Sequence, residues 1–259
     1  MEKIFIKNRN GQKIAVVIEQ PEGKARGLAF VMDGLSGIKE SLHVRAMAES
    51  FLANMFIVVT FDFRNTYGES EGKYENANVT NYYEDLEDVV NWSSKQNWYQ
   101  EPFWLAGHSL GGMCAGLFAE KYPEKIFALA PIAAAVVGKL IIKKYQTSRL
   151  EQYKIWEKTG IREETSSTRP DLIKRLNWHQ FKQDLLKYSL LDKVSKLTMP
   201  TLLVVGDKDE LFEQQKILFE KLPGKKELHI VKKAPHTFIE ANHLTELKQI
   251  FDKWIKSLN

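Results

Sequence analysis

The stretch LAGHSLGGMCAG, Leu105 to Gly116, decides the fold. Within it, Gly107-His108-Ser109-Leu110-Gly111 sets a serine between two glycines, and small residues recur one turn later. Glycine on both sides of a serine suits a very tight strand-to-helix turn, where the backbone is strained and a Cβ would clash. Such a turn pushes the hydroxyl out to where a substrate can reach it. A G-x-S-x-G pattern is short enough to arise by chance, so its neighbours must decide.

The neighbours alternate between two patterns. FWLAGH (Phe103 to His108) runs straight into the serine. GLAFVMDG, FIVVTFDF (Phe56 to Phe63), KIFALAPIA (Lys125 to Ala133) and TLLVVGD (Thr201 to Asp207) are also continuous apolar runs. Runs of this kind suit strands buried on both faces, as in parallel sheets. KELHIVKKA (Lys226 to Ala234) reads as the last strand, and Asn10-Gly11 between KIFIKN and KIAVVIEQ reads as a hairpin. Helical patterns follow the strands: ESLHVRAMAESFLAN, TNYYEDLEDVVNWSSKQ, SLGGMCAGLFAEKY, ELFEQQKILFEKL and HLTELKQIFDKWIKSL. Strand and helix in alternation predict an α/β fold with a doubly wound, mostly parallel sheet and an antiparallel start.

One segment breaks the alternation. Residues 139–197 lack strand runs and offer two amphipathic helix patterns, one from about Leu140 to Lys158 and one from the capped start Thr168-Arg169-Pro170-Asp171 to about Tyr188. This segment reads as a helical lid between residues 1–138 and 198–259 of the core. It holds fourteen Lys/Arg against seven Asp/Glu, a net of +7 in a chain whose total is +4.

Bulk composition limits the function classes. A chain of 259 residues that is 44% hydrophobic has material for one large core with an insertion. No basic run with interleaved aromatics points to nucleic acid. The single cysteine, Cys114, forbids an internal disulfide, and the longest apolar run, Ile126 to Gly138, is too short to span a bilayer. The N-terminus shows no apolar signal core. The expectation is a cytoplasmic protein without stable membrane insertion, with a homodimer as an open option. Scattered histidines and one cysteine show no metal-ligand spacing, so neither metal nor cofactor is expected.

A serine hydroxyl is a weak nucleophile and needs a base that a third group orients. In a doubly wound sheet these partners belong at the carboxyl ends of strands. The strand TLLVVGD leads into Gly206-Asp207-Lys208-Asp209-Glu210. Asp209 is the first choice there, because the third residue after the glycine turns back over the sheet edge, and Asp207 is the second. His236 follows the last strand in a loop opened by Pro235. The remaining histidines fit less well: His229 alternates within a strand, His43 and His243 lie on helices, His179 is in the lid, and His108 points away at the elbow. The order serine, acid, histidine is the order of this fold class. Oxyanion donors are expected from the N–H of Leu110 at the helix start and of Leu35 after the third strand, with Gly34 permitting close approach.

These motifs resemble the α/β-hydrolase superfamily of serine hydrolases, with Ser109, Asp209 and His236 falling on its nucleophile, acid and base. Within it, DGLSGIKES and FDFRNTYGESEGKYENANVTNYYEDLED resemble the oxyanion loop and the following segment of bacterial cinnamoyl or feruloyl esterases. The resemblance implies an eight-stranded sheet with a lid inserted after the sixth strand. Two departures stand out: Asp33 replaces the histidine that braces the oxyanion loop in those enzymes, and Asn65-Thr66-Tyr67-Gly68 replaces their G-H-G.

The expected activity is hydrolysis of carboxylic esters, of small aryl or short-to-medium acyl type and including hydroxycinnamoyl esters, through an acyl-enzyme. Acyl thioester hydrolysis and monoacylglycerol-lipase-like activity are alternatives. A binding protein without catalysis is the alternative outside enzymes, since a fold does not fix a function. Leu140, Ile141, Ile142, Tyr145, Tyr153, Trp156, Trp178 and Phe181 are the lid residues able to wall a substrate pocket, with Tyr145 and Trp156 foremost. The positive lid raises the prospect of an anionic substrate.

Overall fold

The computed structural model describes residues 1–166 and 171–258. The chain opens with a hairpin, β1 (Glu2–Lys7) and β2 (Lys13–Glu19), whose turn carries Gly11 at φ +75°. Then come β3 (Gly27–Met32), α1 (Leu42–Ala53), β4 (Phe56–Phe61), α2 (Val79–Ser93), β5 (Phe103–His108), α3 (Leu110–Lys121) and β6 (Ile126–Ile132). After a long excursion the sheet resumes with β9 (Thr201–Gly206), α7 (Phe212–Lys221), β10 (Lys226–Val231) and α8 (Ala241–Ser257). The excursion comprises α4 (Gly138–Ser148), α5 (Leu150–Thr159), the strands β7 (Ile161–Thr165) and β8 (Ile173–Asn177), and α6 (Trp178–Leu185).

The sheet has eight strands in the order β1-β2-β4-β3-β5-β6-β9-β10. Pairing is antiparallel for β1 with β2 and for β2 with β4, and parallel from β4 to β10. Strands β4, β5 and β9 are buried at every position, which is why their sequences are unbroken apolar runs. Apolar residues fill both faces: α2 and α3 pack on one through Leu86, Val89 and Phe118, and α1 and α8 on the other through Phe51, Phe251 and Trp254. Asn78 starts α2 by accepting the Asn81 N–H at 2.8 Å, satisfying a donor that the first helical turn leaves without a partner. Parallel crossovers place the carboxyl ends of β3, β5, β9 and β10 along one rim, where loops gather.

The inserted segment departs from its expected form. The first helix is two, interrupted at Arg149 (φ −135°, ψ 39°), and α5 closes on Gly160 in the left-handed region. The second helix was expected to start at Thr168-Arg169-Pro170-Asp171; residues 168–170 lie outside the described residues. From Ile173 to Asn177 the chain is strand, paired antiparallel with β7, and α6 begins only at Trp178. The hairpin escapes the sequence pattern because its inward positions are Arg162, Glu164, Lys174 and Leu176, three of them charged. Among the described residues no helix is long and apolar enough to cross a membrane.

Candidate active site

Between β5 and α3 stands one residue, Ser109, with φ 55° and ψ −117°. That conformation costs a residue with a side chain about 1–3 kcal/mol and persists only where surroundings impose it. Here they do: the Ser109 N–H donates to the Ile132 carbonyl (2.9 Å), and its carbonyl accepts from Met113 and Ala135 (both 3.1 Å). The flanking glycines are required by close backbone approach. A Cβ on Gly107 would stand 2.4 Å from the Gly111 carbonyl oxygen, and one on Gly111 would stand 2.2 Å from that of Asp33.

Two loops at the same rim reach this serine. His236 Nε2 lies 2.8 Å from Ser109 Oγ, and His236 Nδ1 lies 2.8 Å from Asp209 Oδ2. The Asp209 side chain is fully buried and its Oδ1 accepts the Leu211 N–H at 2.8 Å. Asp207 turns elsewhere and accepts the Lys233 N–H, so the second-choice acid is not near the imidazole. Burial works against charge on His236, but the hydrogen bond and charge of Asp209 outweigh it and raise its pKa above the ordinary histidine value.

Leu110 N–H opens α3, where N–H groups have no acceptor within the helix. Leu35 follows Gly34, whose close fit the structure makes plain: a Cβ there would meet Ser109 Cβ at 2.7 Å and Leu110 N at 3.0 Å. Leu35, Leu110, Ser109 and His236 border a single cavity of about 1040 Å³ between core and insertion. Of the eight insertion side chains named from sequence, Ile141, Tyr145, Trp156 and Phe181 line it. Tyr153 and Trp178 pack behind Trp156 and Tyr145.

The loops are held by Asp33 with two histidines that the sequence pattern leaves outside the triad. Asp33 Oδ1 accepts the Gly34 N–H (2.7 Å) and faces His43 Nε2 (2.9 Å) and His108 Nδ1 (3.2 Å). Burial alone would raise the Asp33 pKa, but His43 and His108 hold it well below the usual carboxylate range. His108 Nε2 in turn lies 2.8 Å from the His236 carbonyl oxygen. Burial and the nearby His43 draw the His108 pKa down, to about 4, against the pull of Asp33; the neutral ring carries one N–H, so it donates to Asp33 or to the His236 carbonyl and not to both. Asp33 thus braces the loop after β3 that carries Gly34 and Leu35, and His108 lies between it and the His236 loop. The signal available in sequence was the pairing of an unusual acid with two histidines, one of them in a buried helix.

A second brace is the Lys39 ammonium, 2% exposed, donating to Asp62 (2.8 Å) and Glu69 (2.7 Å). It ties the loop after β3 to the loop after β4. Tyr67, from the segment that replaces G-H-G, lines the cavity and packs against Tyr74 with ring centroids 4.9 Å apart. Asp33, His43 and His108 are the described residues whose ligand atoms cluster closely enough, within 4.8 Å, to hold a metal ion. The shared oxygen already receives a backbone N–H and faces both imidazoles, so hydrogen bonding accounts for the cluster without an ion.

Comparisons with known proteins agree with this geometry at the level of fold and family. Est1E from Butyrivibrio proteoclasticus, solved with ferulic acid bound, superposes with a TM-score of 0.82 over 98% of both chains at 20% identity. Mouse palmitoyl-protein thioesterase ABHD10, a mitochondrial protein, is 27% identical over 204 residues, covering 76% of this chain and 63% of its own. A 31.7 kDa Escherichia coli protein of the traX-finO intergenic region is 34% identical over 101 residues, covering 38% of this chain and 35% of that one. The matches therefore span about a third of the bacterial relative and under two thirds of the mouse one. Residues 23–242 match the family model described as Serine aminopeptidase, S33, and the chain belongs to that family of α/β-fold serine hydrolases.

Proposed function

We propose that the protein hydrolyses carboxylic esters through Ser109, His236 and Asp209. The observation that carries this reading is the hydrogen-bonded chain Asp209–His236–Ser109, 2.8 Å at each step, ending on a strained serine that lines a cavity. In this mechanism His236 Nε2 takes the Ser109 proton as Oγ attacks the acyl carbon. Asp209 holds Nδ1–H, so that Nε2 is the free base, and stabilises the imidazolium that forms. Leu35 and Leu110 N–H groups receive the negative charge that develops on the carbonyl oxygen. His236 then protonates the departing alcohol and afterwards activates the water that releases the acid.

Aromatic and aliphatic walls at Tyr145, Trp156, Ile141 and Phe181 suit an aryl or short-to-medium acyl group. The ferulic acid bound to Est1E supports including hydroxycinnamoyl esters. Thioesters are the second reading, supported by the thioesterase name of the mouse relative. A fluorophosphonate probe should label the wild type and spare Ser109→Ala. A panel of p-nitrophenyl esters, methyl hydroxycinnamates, acyl-CoA and an aminoacyl p-nitroanilide then ranks the leaving groups. Equal labelling of both proteins would refute the nucleophile, and preference for the anilide would refute the ester class.

A further inference from the structure

The hairpin of the inserted segment presents an ion cluster to the cavity in which cations outnumber carboxylates. Arg162 donates through Nε and Nη2 to Glu164 Oε2 (2.9 and 2.6 Å), and Arg149 donates to Glu164 Oε1 (2.7 Å) and Glu210 Oε2 (2.9 Å). Burial works against charge on Glu164, but the two guanidinium groups outweigh it and hold the side chain as a carboxylate, below its ordinary pKa. Its direct cross-strand partner is Lys174, on the same inward face of the hairpin. Such neighbours ordinarily pair. Here the arginines have taken both oxygens, and no carboxylate of the described residues lies within 4 Å of the Lys174 ammonium. Its contact is the Ser36 hydroxyl, at 3.5 Å.

The other acids around the cavity are committed as well. Glu163 pairs with Arg175, Glu40 with Lys39, Glu210 with Arg149, and Asp33 with its two histidines. Lys174 is left as a half-buried cation facing the same space as Ser109 and the aromatic walls. Desolvation, with Arg162 and Arg149 nearby, lowers its pKa despite Glu164. A desolvated ammonium beside a hydroxyl is the donor set for a carboxylate, and pairing there is stronger than in open solvent.

We propose that Lys174 Nζ and Ser36 Oγ form a subsite for a carboxylate of the substrate, so that the preferred substrates are esters carrying a second, free acid group. This rests on the ester-hydrolase reading above and narrows its substrate class. Ser36 adjoins Leu35, the proposed oxyanion donor, and both line the cavity that holds Ser109, so an acid held there shares that cavity with the reacting ester.

The test compares matched substrates that differ in one charge: monophenyl adipate against phenyl hexanoate for an acid on the acyl side, and 4-acetoxybenzoate against its methyl ester for an acid on the alcohol side. The readout is the ratio of kcat/KM, acid over neutral. In the wild type at least one pair favours the acid, and Lys174→Met lowers that ratio roughly tenfold, the worth of one charge-assisted hydrogen bond. Lys174→Arg retains most of the preference. Arg175→Gln, which removes an equal charge from the outer face of the same strand, leaves the ratio where it was. Which pair responds assigns the acid to the acyl or the alcohol side. A ratio near one for both pairs in the wild type, or an equal fall in Lys174→Met and Arg175→Gln, overturns the subsite while leaving ester hydrolysis standing. If no ester is turned over, calorimetry of adipate and 4-hydroxybenzoate on the Ser109→Ala protein reads the same contact: weaker binding after Lys174→Met supports it, and equal or absent binding overturns it.

Discussion

Replacing Asp209 by asparagine keeps the shape of the side chain and changes which way its hydrogen bonds run. The buried carboxylate accepts on both oxygens, from the Leu211 N–H and from His236 Nδ1. An amide accepts on one side and donates on the other. If its oxygen stays on Leu211, its NH2 faces Nδ1, the imidazole must carry its proton on Nε2, and the nitrogen facing Ser109 has no lone pair. If the amide turns over, Nδ1–H is satisfied but two donors face each other at Leu211. Leaving that buried N–H unmade costs about 1–3 kcal/mol, so the productive orientation is held by roughly one molecule in six to one in a hundred and sixty. The negative charge that stabilises the imidazolium is lost in both orientations. Together these give a fall in kcat of about 10³–10⁴, the size seen when this acid is amidated in an unrelated serine protease.

The pH profile separates this account from a general loss of fold. His236 must be neutral to accept the serine proton. In the wild type Asp209 raises the His236 pKa, so the acid limb of kcat/KM should lie above about pH 6.5, the ordinary histidine value. Without Asp209, burial is opposed only by the smaller effects of the Glu210 and Asp33 charges, and the limb should move to lower pH while the plateau drops. The assay is kcat/KM from pH 5 to 9 on the best-turned-over ester, with circular dichroism to verify folding. Asp207→Asn is the control, because that carboxylate holds the Lys233 N–H instead; it should stay within a few-fold of wild type. Asp209→Asn activity within tenfold of wild type, or an acid limb that does not shift, would refute the reasoning.

Other residues give sharper structural tests. Gly34→Ala forces a Cβ within 2.7 Å of Ser109 Cβ, so the oxyanion loop must retreat and kcat should fall about 100-fold or more, with urea unfolding little changed. Lys39→Met leaves Asp62, whose side chain is fully buried, without its ammonium partner; urea denaturation should show a loss of about 3–5 kcal/mol, and a loss under 1 kcal/mol would mean the brace is dispensable. Asp33→Asn removes the charge that two imidazoles face and should cost about 1.5–3 kcal/mol in the same experiment. A chelator should leave ester turnover unchanged, since the Asp33, His43 and His108 cluster is closed by hydrogen bonds; loss of activity restored by added metal would overturn that view.

Much of the frame was legible because its residues obey one rule each. β5 runs over the six residues that read as a strand, since a strand buried on both faces is built mainly of apolar side chains. Ser109 and His236 could be placed because the sheet sends every strand end to one rim. The acid was ranked, Asp209 before Asp207, within one loop, because which carboxylate turns inward depends on backbone geometry: Asp209 N–H closes a turn onto the Gly206 carbonyl (3.2 Å), and its side chain lies against His236. The hairpin was illegible for the opposite reason. A strand whose buried side chain is Arg162 shows no apolar alternation, and its burial makes sense only once Glu164, Tyr145 and Trp156 are seen around it.

The same contrast explains why Asp33 looked like a defect in the sequence. Taken alone, an acid where the resembling esterases have histidine threatens to place negative charge beside a site that must stabilise an oxyanion. In the fold that charge faces away, into His43 and His108, and is 5% exposed. Its local effect is mechanical. One carboxylate oxygen fixes the Gly34 N–H, hence the loop that carries Leu35, and through His108 reaches the His236 carbonyl, hence the loop that carries the base. A single buried network thus sets the position of a proposed oxyanion donor relative to the proposed base. Two groups 201 residues apart in sequence are held in register by this set of buried contacts, and the strained Ser109 lies between the two loops they position.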